Sequence, residues 1–450
     1  MCQRLNASRH GPAASYLRAV AILTLLLVAM PPLSPAAAQT GEQWWELLTG
    51  KPNGREQAPP ERARWQPETP GAELRSDAIP LVGEETIRAV EQAVEQYQRI
   101  VTSGGWPRFA SERTLRPGDD DDRVPYLVRR LRISGDLSTR SELGYGYGPE
   151  LEAAVKRFQN RHGIRPTGLV DRATFAAMNV PADARLAQLK LNLERLRELS
   201  RDVPQIERYV LVNSSAYALE SVEGGTVIGR HRTIVGKPDR QTPTIKALIK
   251  NINLLPSWHV PESVAKRDLI PRLQREPEYL EKEHIRVLKA WNGAEVPRNT
   301  INWQDPVVMS YKFQQDFGPW NALGLVRLDM PNSETVYMHD TPMEQLFGQR
   351  GRAYSAGCVR VEGVFDLAGW IVRGAPGWDR KRLDEVVASG VPTDIPLPRP
   401  VPVYFVYITA WAAPSGRVDF RPDLYGRDGA AEQMTAAFAG ENAPAQALTP

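Results

Sequence analysis

The sequence predicts an α+β multi-domain protein, with helices in its first half and a mainly β domain in its second. Three observations carry that expectation. The chain has 450 residues, more than one hydrophobic core ordinarily organises, so two or three domains are expected. Apolar residues recur at helical spacing in several stretches between Thr86 and Ser200. After Pro204 the pattern changes to short β-rich runs separated by Ser-Ser and Gly-Gly turns.

Residues 1–38 read as a secretory signal peptide. Arg4, Arg9 and Arg18 precede an apolar core from Ala19 to Met30, and Ala36-Ala37-Ala38 supplies a small-residue cleavage site. The apolar run is short for a bilayer span, so an exported chain is expected, from which Cys2 departs with the signal. Residues 39–82, rich in Pro, Glu, Arg and Gln with Trp44, Trp45 and Trp65 scattered among them, read as a linker.

Residues 83–118 form a helical scaffold segment, in which Ile87, Val90, Val94, Tyr97 and Val101 share one helix face and Gly104-Gly105-Trp106-Pro107 ends it. Residues 119–182 read as a small module of three helices, over Val124 to Leu131, Pro149 to Arg161 and Asp171 to Met178. Val155 and Phe158 face inward, and Asp171 with Thr174 caps the third helix. In the connecting segment 183–204, Leu186, Leu189, Leu193 and Leu196 line an amphipathic helix that packs one module against the next.

Residues 205–426 hold the β domain. Strands are expected over Tyr209 to Asn213, Ala216 to Val222, Thr226 to Val235, Ile249 to Leu255, Val307 to Phe313, Leu323 to Leu328, Glu334 to Met338 and Val401 to Ala410. Within 256–303, Glu262 to Arg275 and Glu278 to Glu283 read as helical, interrupting the β pattern as an insertion. Val364 to Arg373 reads as a helix behind the strands. The Ala-, Gly-, Glu- and Pro-rich tail, 427–450, is expected to be disordered.

Lys and Arg number 56 against 53 Asp and Glu, so the near-neutral balance offers no electrostatic case for nucleic acid. His231, His259 and His284 fit no metal-ligand spacing, and no metal site is expected. With Cys2 removed, Cys358 is left without a disulfide partner in an oxidising compartment. A lone cysteine is ordinarily structural, and here its surroundings argue otherwise.

Those surroundings are Tyr337-Met-His-Asp-Thr-Pro and Tyr354-Ser-Ala-Gly-Cys-Val-Arg. A thiol is mostly protonated at neutral pH, so acyl transfer through it needs a base within reach and a positive environment. His339 can be the base and Arg360 the fixed positive charge, stabilising the thiolate or gripping a substrate carboxylate. A salt bridge holding the loop is the structural alternative for Arg360. Gly357 allows a sharp turn and close approach of substrate, leaving the Gly357 and Cys358 N–H groups free to receive an oxyanion. Val359 and Val361 suggest a strand.

His339-Asp340-Thr341-Pro342 followed by Ser355-Ala356-Gly357-Cys358-Val359-Arg360 resembles the active-site signature of the L,D-transpeptidases, the YkuD-type catalytic domain. Leu151 to Met178 resembles the three-helix peptidoglycan-binding domain at Val155, Phe158, Gln159, Gly163, Gly168, Val170, Thr174 and Met178, with Thr167-Gly168 where that family often has Asp-Gly. The resemblance implies a sandwich-like β catalytic domain of the large periplasmic type, in which 256–303 is a candidate cap over the site. Many members carry a second histidine before the Gly-Cys pair. Here that position is Ala356, which leaves base duty to His339 and makes Ser355 the nearest hydroxyl to orient it.

The implied partners are peptidoglycan tetrapeptide stems, as donor and acceptor, with other cell-wall synthesis proteins as further candidates. The implied chemistry needs no cofactor and forms 3-3 cross-links through a cysteine thioester. Three alternatives stay open: an L,D-carboxypeptidase, an enzyme attaching a lipoprotein to the wall, and a non-catalytic wall-binding protein.

Overall fold

In the computed structural model the described residues are 74, 77–108, 113–140, 146–203 and 206–429. The expected signal peptide, most of the expected linker and the end of the tail lie outside them. No helix among the described residues is long and apolar enough to cross a membrane.

Helix α1 (Glu84–Thr102) follows the predicted apolar face, burying Val90 and Tyr97. Helices α2 (Val124–Ile133), α3 (Pro149–Arg161) and α4 (Arg172–Met178) come next. Leu127, Val155, Phe158, Val170 and Met178 from this stretch form one core with no exposed surface. The Asp171 carboxylate caps α4, accepting from the Thr174 N–H at 2.8 Å. Helix α5 (Ala182–Leu199) buries the predicted leucines, and they pack with α1 and the β domain. The end of the expected linker belongs here too: Leu81 and Val82 are buried in the same cluster, and the Leu81 N–H donates to Glu220 at 2.8 Å.

The β domain is built on β1 (Arg208–Asn213), β2 (Ala218–Glu223), β3 (Thr226–Gly236) and β4 (Ile245–Leu254). Later strands join them: β8 (Val326–Asp329), β9 (Met338–His339), β10 (Ala353–Ser355), β11 (Val359–Val361) and β12 (Thr393–Val406). The expected sandwich is instead a nine-stranded sheet that closes on itself, in the order β10-β3-β11-β9-β8-β4-β12-β1-β2 with β2 returning to β3. The length of β3 makes closure possible. Thr226 to Arg232 pair with β2, while Thr233 and Ile234 pair with β11. One face packs on α6 (Val364–Ile371) and α7 (Arg380–Ser389), and the other face of β1 and β12 packs on α1 and α5.

The segment after β4 differs from a simple helical insertion. Glu262 to Lys282 form several short helical turns instead of the two helices expected. A three-stranded sheet, β5 (Trp258–His259), β7 (Lys312–Gln315) and β6 (Ile285–Leu288), accompanies them. Val307 to Ser310 lie in a 3₁₀ turn, so only the end of the run expected as a strand there pairs. The segment has its own core, which includes Trp258, Leu273, Tyr279, Phe313 and Phe347. Arg427 and Asp428, expected in the disordered tail, are anchored: Arg195 of α5 donates to Asp428 Oδ1 at 2.8 Å and to the Arg427 carbonyl at 2.7 Å.

Candidate active site

Two short parallel strands bring the motif residues together. β9 and β11 pair in parallel, with Met338 opposite Val359 and His339 opposite Arg360. Side chains alternate along a strand, and Met338, Val359 and Val361 are buried in the core against α6. Tyr337, His339, Cys358 and Arg360 therefore share the opposite face. Arg327 of β8 extends that row, because it pairs directly with His339 in the antiparallel register.

The turn that presents Cys358 is tightly defined. Gly357 has φ +122°, a backbone conformation open to glycine and strained for other residues. The Ser355 hydroxyl accepts from the Gly357 N–H at 3.1 Å and donates to the Cys358 carbonyl at 2.6 Å. This corrects two expectations. Gly357 N–H is engaged inside the turn and is not a free oxyanion donor in this state. Ser355 braces the turn and does not orient His339.

The imidazole is oriented by its own neighbour. His339 Nδ1 lies 2.6 Å from the Asp340 carbonyl. A carbonyl only accepts, so Nδ1 carries the proton and Nε2 keeps its lone pair. Asp340 is itself pinned, since its carboxylate accepts from the Leu325 N–H at 2.9 Å.

Burial dominates the electrostatics. Desolvation pushes the Cys358 thiol up to about 11, and hydrogen bonding from the Tyr337 backbone and phenol, then the charges of Arg360 and Arg327, oppose it. Desolvation lowers His339 to about 3, and Arg360 and Arg327 add to the effect against the Asp340 carbonyl. At rest the thiol and the imidazole are accordingly both neutral. Arg360 is buried and lowered to about 10 by desolvation, with Cys358 pulling the other way. Its Nε and one terminal nitrogen are buried without a hydrogen-bond partner, and it makes no ion pair among the described residues. The loop-holding salt bridge is thus not what keeps it there. Orphaned donors of this kind cost about 1–3 kcal/mol each.

Sequence reasoning passed over three contributors. Tyr337 is two residues before His339, so strand parity already placed it on the same face. Its phenol oxygen accepts from Trp258 Nε1 at 3.1 Å, which ties the β5 segment to the site. Arg327 and Thr242 carried no local signal. Thr242 donates through its hydroxyl to the Gly357 carbonyl at 2.8 Å. No group of three or more His, Cys, Asp or Glu side chains comes together to hold a metal ion among the described residues.

Residues 207–381 match the family model described as "L,D-transpeptidase catalytic domain", YkuD. Over those residues the chain is similar to the YkuD-family L,D-transpeptidase catalytic domain. Ahead of it, residues 120–178 match the model described as "Putative peptidoglycan binding domain". A curated Haemophilus influenzae protein named "Putative L,D-transpeptidase" is 34% identical over 242 residues, covering 54% of this chain and 48% of its own length. The chain therefore matches about half the length of that relative. Among solved structures, L,D-transpeptidase 1 of Mycobacterium tuberculosis is 12% identical, covering 44% of this chain and 61% of its own, with a TM-score of 0.21. An L,D-transpeptidase from Xylanimonas cellulosilytica is 13% identical, covering 67% of this chain and 98% of its own, also at 0.21. The L,D-transpeptidase domain as matched spans β1 to the start of α7 and includes every residue of the Cys358 turn.

Proposed function

We propose that the protein is an exported, periplasmic peptidoglycan L,D-transpeptidase that forms 3-3 cross-links between stem peptides. Cys358 is the nucleophile and His339 the general base. The Cys358 sulfur attacks the carbonyl at the L-centre of the diaminopimelate residue in a tetrapeptide stem, while His339 Nε2 takes the thiol proton. The tetrahedral intermediate collapses to a thioester, the C–N bond breaks, and the imidazolium returns the proton to the departing D-Ala amine. The side-chain amine of a second stem then attacks the thioester, forming the new amide and releasing the thiol.

The observation that carries this reading is the register of β9 and β11, which sets His339 and Cys358 on one sheet face within a domain of matching family. In this mechanism a neutral thiol and a neutral imidazole exchange the proton only as substrate excludes water, and Arg360 stabilises the thiolate as it forms. The helical module ahead of the domain holds the enzyme on peptidoglycan, and the 256–303 segment caps the acyl-enzyme against water. No metal or cofactor is required.

The test is incubation of residues 39–450, wild type and Cys358→Ala, with disaccharide tetrapeptide. Cross-linked dimer lacking one D-Ala, formed by wild type alone, is the expected product. Tripeptide alone would replace the reading with an L,D-carboxypeptidase, and no product from wild type would reject the enzymatic reading.

A further inference from the structure

The nucleophile turn is held from outside the matched catalytic domain. Thr242, with no exposed surface, accepts from the Gly236 N–H at 2.9 Å while donating to the Gly357 carbonyl. The loop around it is closely packed, since a Cβ on Gly236 would lie 2.1 Å from the Arg240 carbonyl oxygen. That loop does not stand alone. The Tyr425 hydroxyl donates to the Gly236 carbonyl at 2.8 Å and accepts from the Thr242 N–H at 3.3 Å. The Arg427 guanidinium donates to Gln241 Oε1 at 2.6 Å, to the Thr242 carbonyl at 3.1 Å and to Thr244 Oγ1 at 3.0 Å.

The grip is itself anchored. The Tyr425 N–H donates to the Tyr407 hydroxyl at 2.8 Å, and the two rings stack with centroids 5.4 Å apart. Arg427 lies over both rings. Arg195 of α5 then fixes Asp428 and the Arg427 carbonyl. A continuous series of hydrogen bonds thus runs from α5, through the closing segment of the chain, to the backbone beside Cys358. Tyr425, Arg427 and Arg195 all lie outside residues 207–381.

We propose that Tyr425 and Arg427 are positioning residues that act through Thr242 on the nucleophile turn, so that the closing segment sets the reactivity of Cys358. This rests on Cys358 being the nucleophile. Each element of the clasp holds the turn closed around a half-buried Cys358. Releasing it lets the turn open, so turnover and simple thiol reactivity should move in opposite directions: geometry for acyl transfer is lost while the sulfur becomes more accessible and easier to ionise.

The experiment compares wild type with Thr242→Val, Thr242→Ser, Tyr425→Phe and Arg427→Ala in the full chain, with thermal unfolding to verify folding. Two rates are followed: alkylation of Cys358 by iodoacetamide across pH, and turnover of disaccharide tetrapeptide. Thr242→Val and Arg427→Ala should lower kcat roughly 10- to 100-fold at nearly constant KM. They should also accelerate alkylation at pH 7.5, by about tenfold for each unit by which the thiol pKa falls. Thr242→Ser, which keeps the hydroxyl, should restore both. Unchanged alkylation profiles and kcat in folded Thr242→Val and Arg427→Ala would overturn the proposal. If Thr242→Val fails to fold, Arg427→Ala and Tyr425→Phe decide it by the same readouts. Alkylation needs no stem peptide, so absence of cross-linking by wild type would reject the proposed reaction while leaving the clasp to be judged by the thiol.

Discussion

Arg360 lies directly opposite His339 across the parallel pair of β9 and β11, and both side chains are buried, 3% and 5% exposed. A guanidinium held that close in a dry environment opposes a second positive charge. It helps to keep the imidazole neutral, the state the proposed base role needs, and two of its own nitrogens are buried without a hydrogen-bond partner. Replacing it with Met should therefore let His339 titrate closer to its ordinary range, upward from about 3, and should slow alkylation of Cys358 by removing a stabiliser of the thiolate. NMR titration of labelled histidine checks the first, with no movement of the His339 signal as the contrary result.

The neutral resting pair has its own signature. With Cys358 pushed up to about 11 and His339 lowered to about 3, the free enzyme holds no thiolate–imidazolium ion pair near neutrality. The iodoacetamide rate on wild type should keep rising with pH beyond 9, without the low-pH plateau that a preformed ion pair gives. A plateau beginning near pH 6 would contradict the burial argument.

Ser355 separates bracing from base orientation. Its two hydrogen bonds stay within the turn, to the Gly357 N–H and the Cys358 carbonyl. Ser355→Ala should lower kcat by roughly tenfold to a hundredfold through misplacement of the sulfur and leave the His339 titration where it is. A shifted His339 titration would return Ser355 to the orienting part expected from sequence.

Gly324 shows how far the site's support extends. Its φ is +59°, and an added Cβ would lie 2.4 Å from Asp340 Oδ2. Gly324→Ala should displace Asp340, whose carbonyl fixes the His339 tautomer, costing about 1–3 kcal/mol of stability from backbone strain as well as activity. Denaturant unfolding beside a kcat measurement checks both, and a variant of wild-type stability and turnover would show that Asp340 is not pinned there.

Acid should destabilise the fold through His162. This ring is stacked between Phe158 and Phe420, with centroids 3.9 and 5.5 Å away, and burial followed by the charges of Arg161 and Arg185 hold its pKa well below 6.5. The unfolded chain binds a proton below about pH 6.5 that the folded chain refuses, so stability is full above that pH and falls as pH drops toward the folded pKa. One such group contributes a slope of about 1.4 kcal/mol per pH unit. His162→Gln should flatten the pH dependence of urea unfolding between pH 6.5 and 5, and an unchanged slope would assign the acid sensitivity elsewhere.

Much of this was legible in the sequence. The leucine spacing of α5, the cap at Asp171 and the early strands follow local periodicity, and Cys358, His339 and Arg360 do share one face. Closure of the sheet was not legible, because it depends on β3 pairing with two partners along its length. The start of β12 was hidden by Pro396, Pro398, Pro400 and Pro402, since proline removes a ladder donor. The strand accommodates them with a register shift between Pro396 and Val401. Thr242, Tyr425 and Arg427 were invisible as site residues, because what joins them to Cys358 is hydrogen bonding across most of the domain.

Whether Cys358 carries the acyl group is decided by intact-mass spectrometry of the protein incubated with donor tetrapeptide alone, for wild type, Cys358→Ala and His339→Ala. An adduct of the donor minus D-Ala is expected on Cys358 in wild type, none in Cys358→Ala, and adduct formation slowed by about 10²–10⁴-fold in His339→Ala. An adduct that persists in Cys358→Ala, or that forms at the wild-type rate without His339, would contradict the proposed roles.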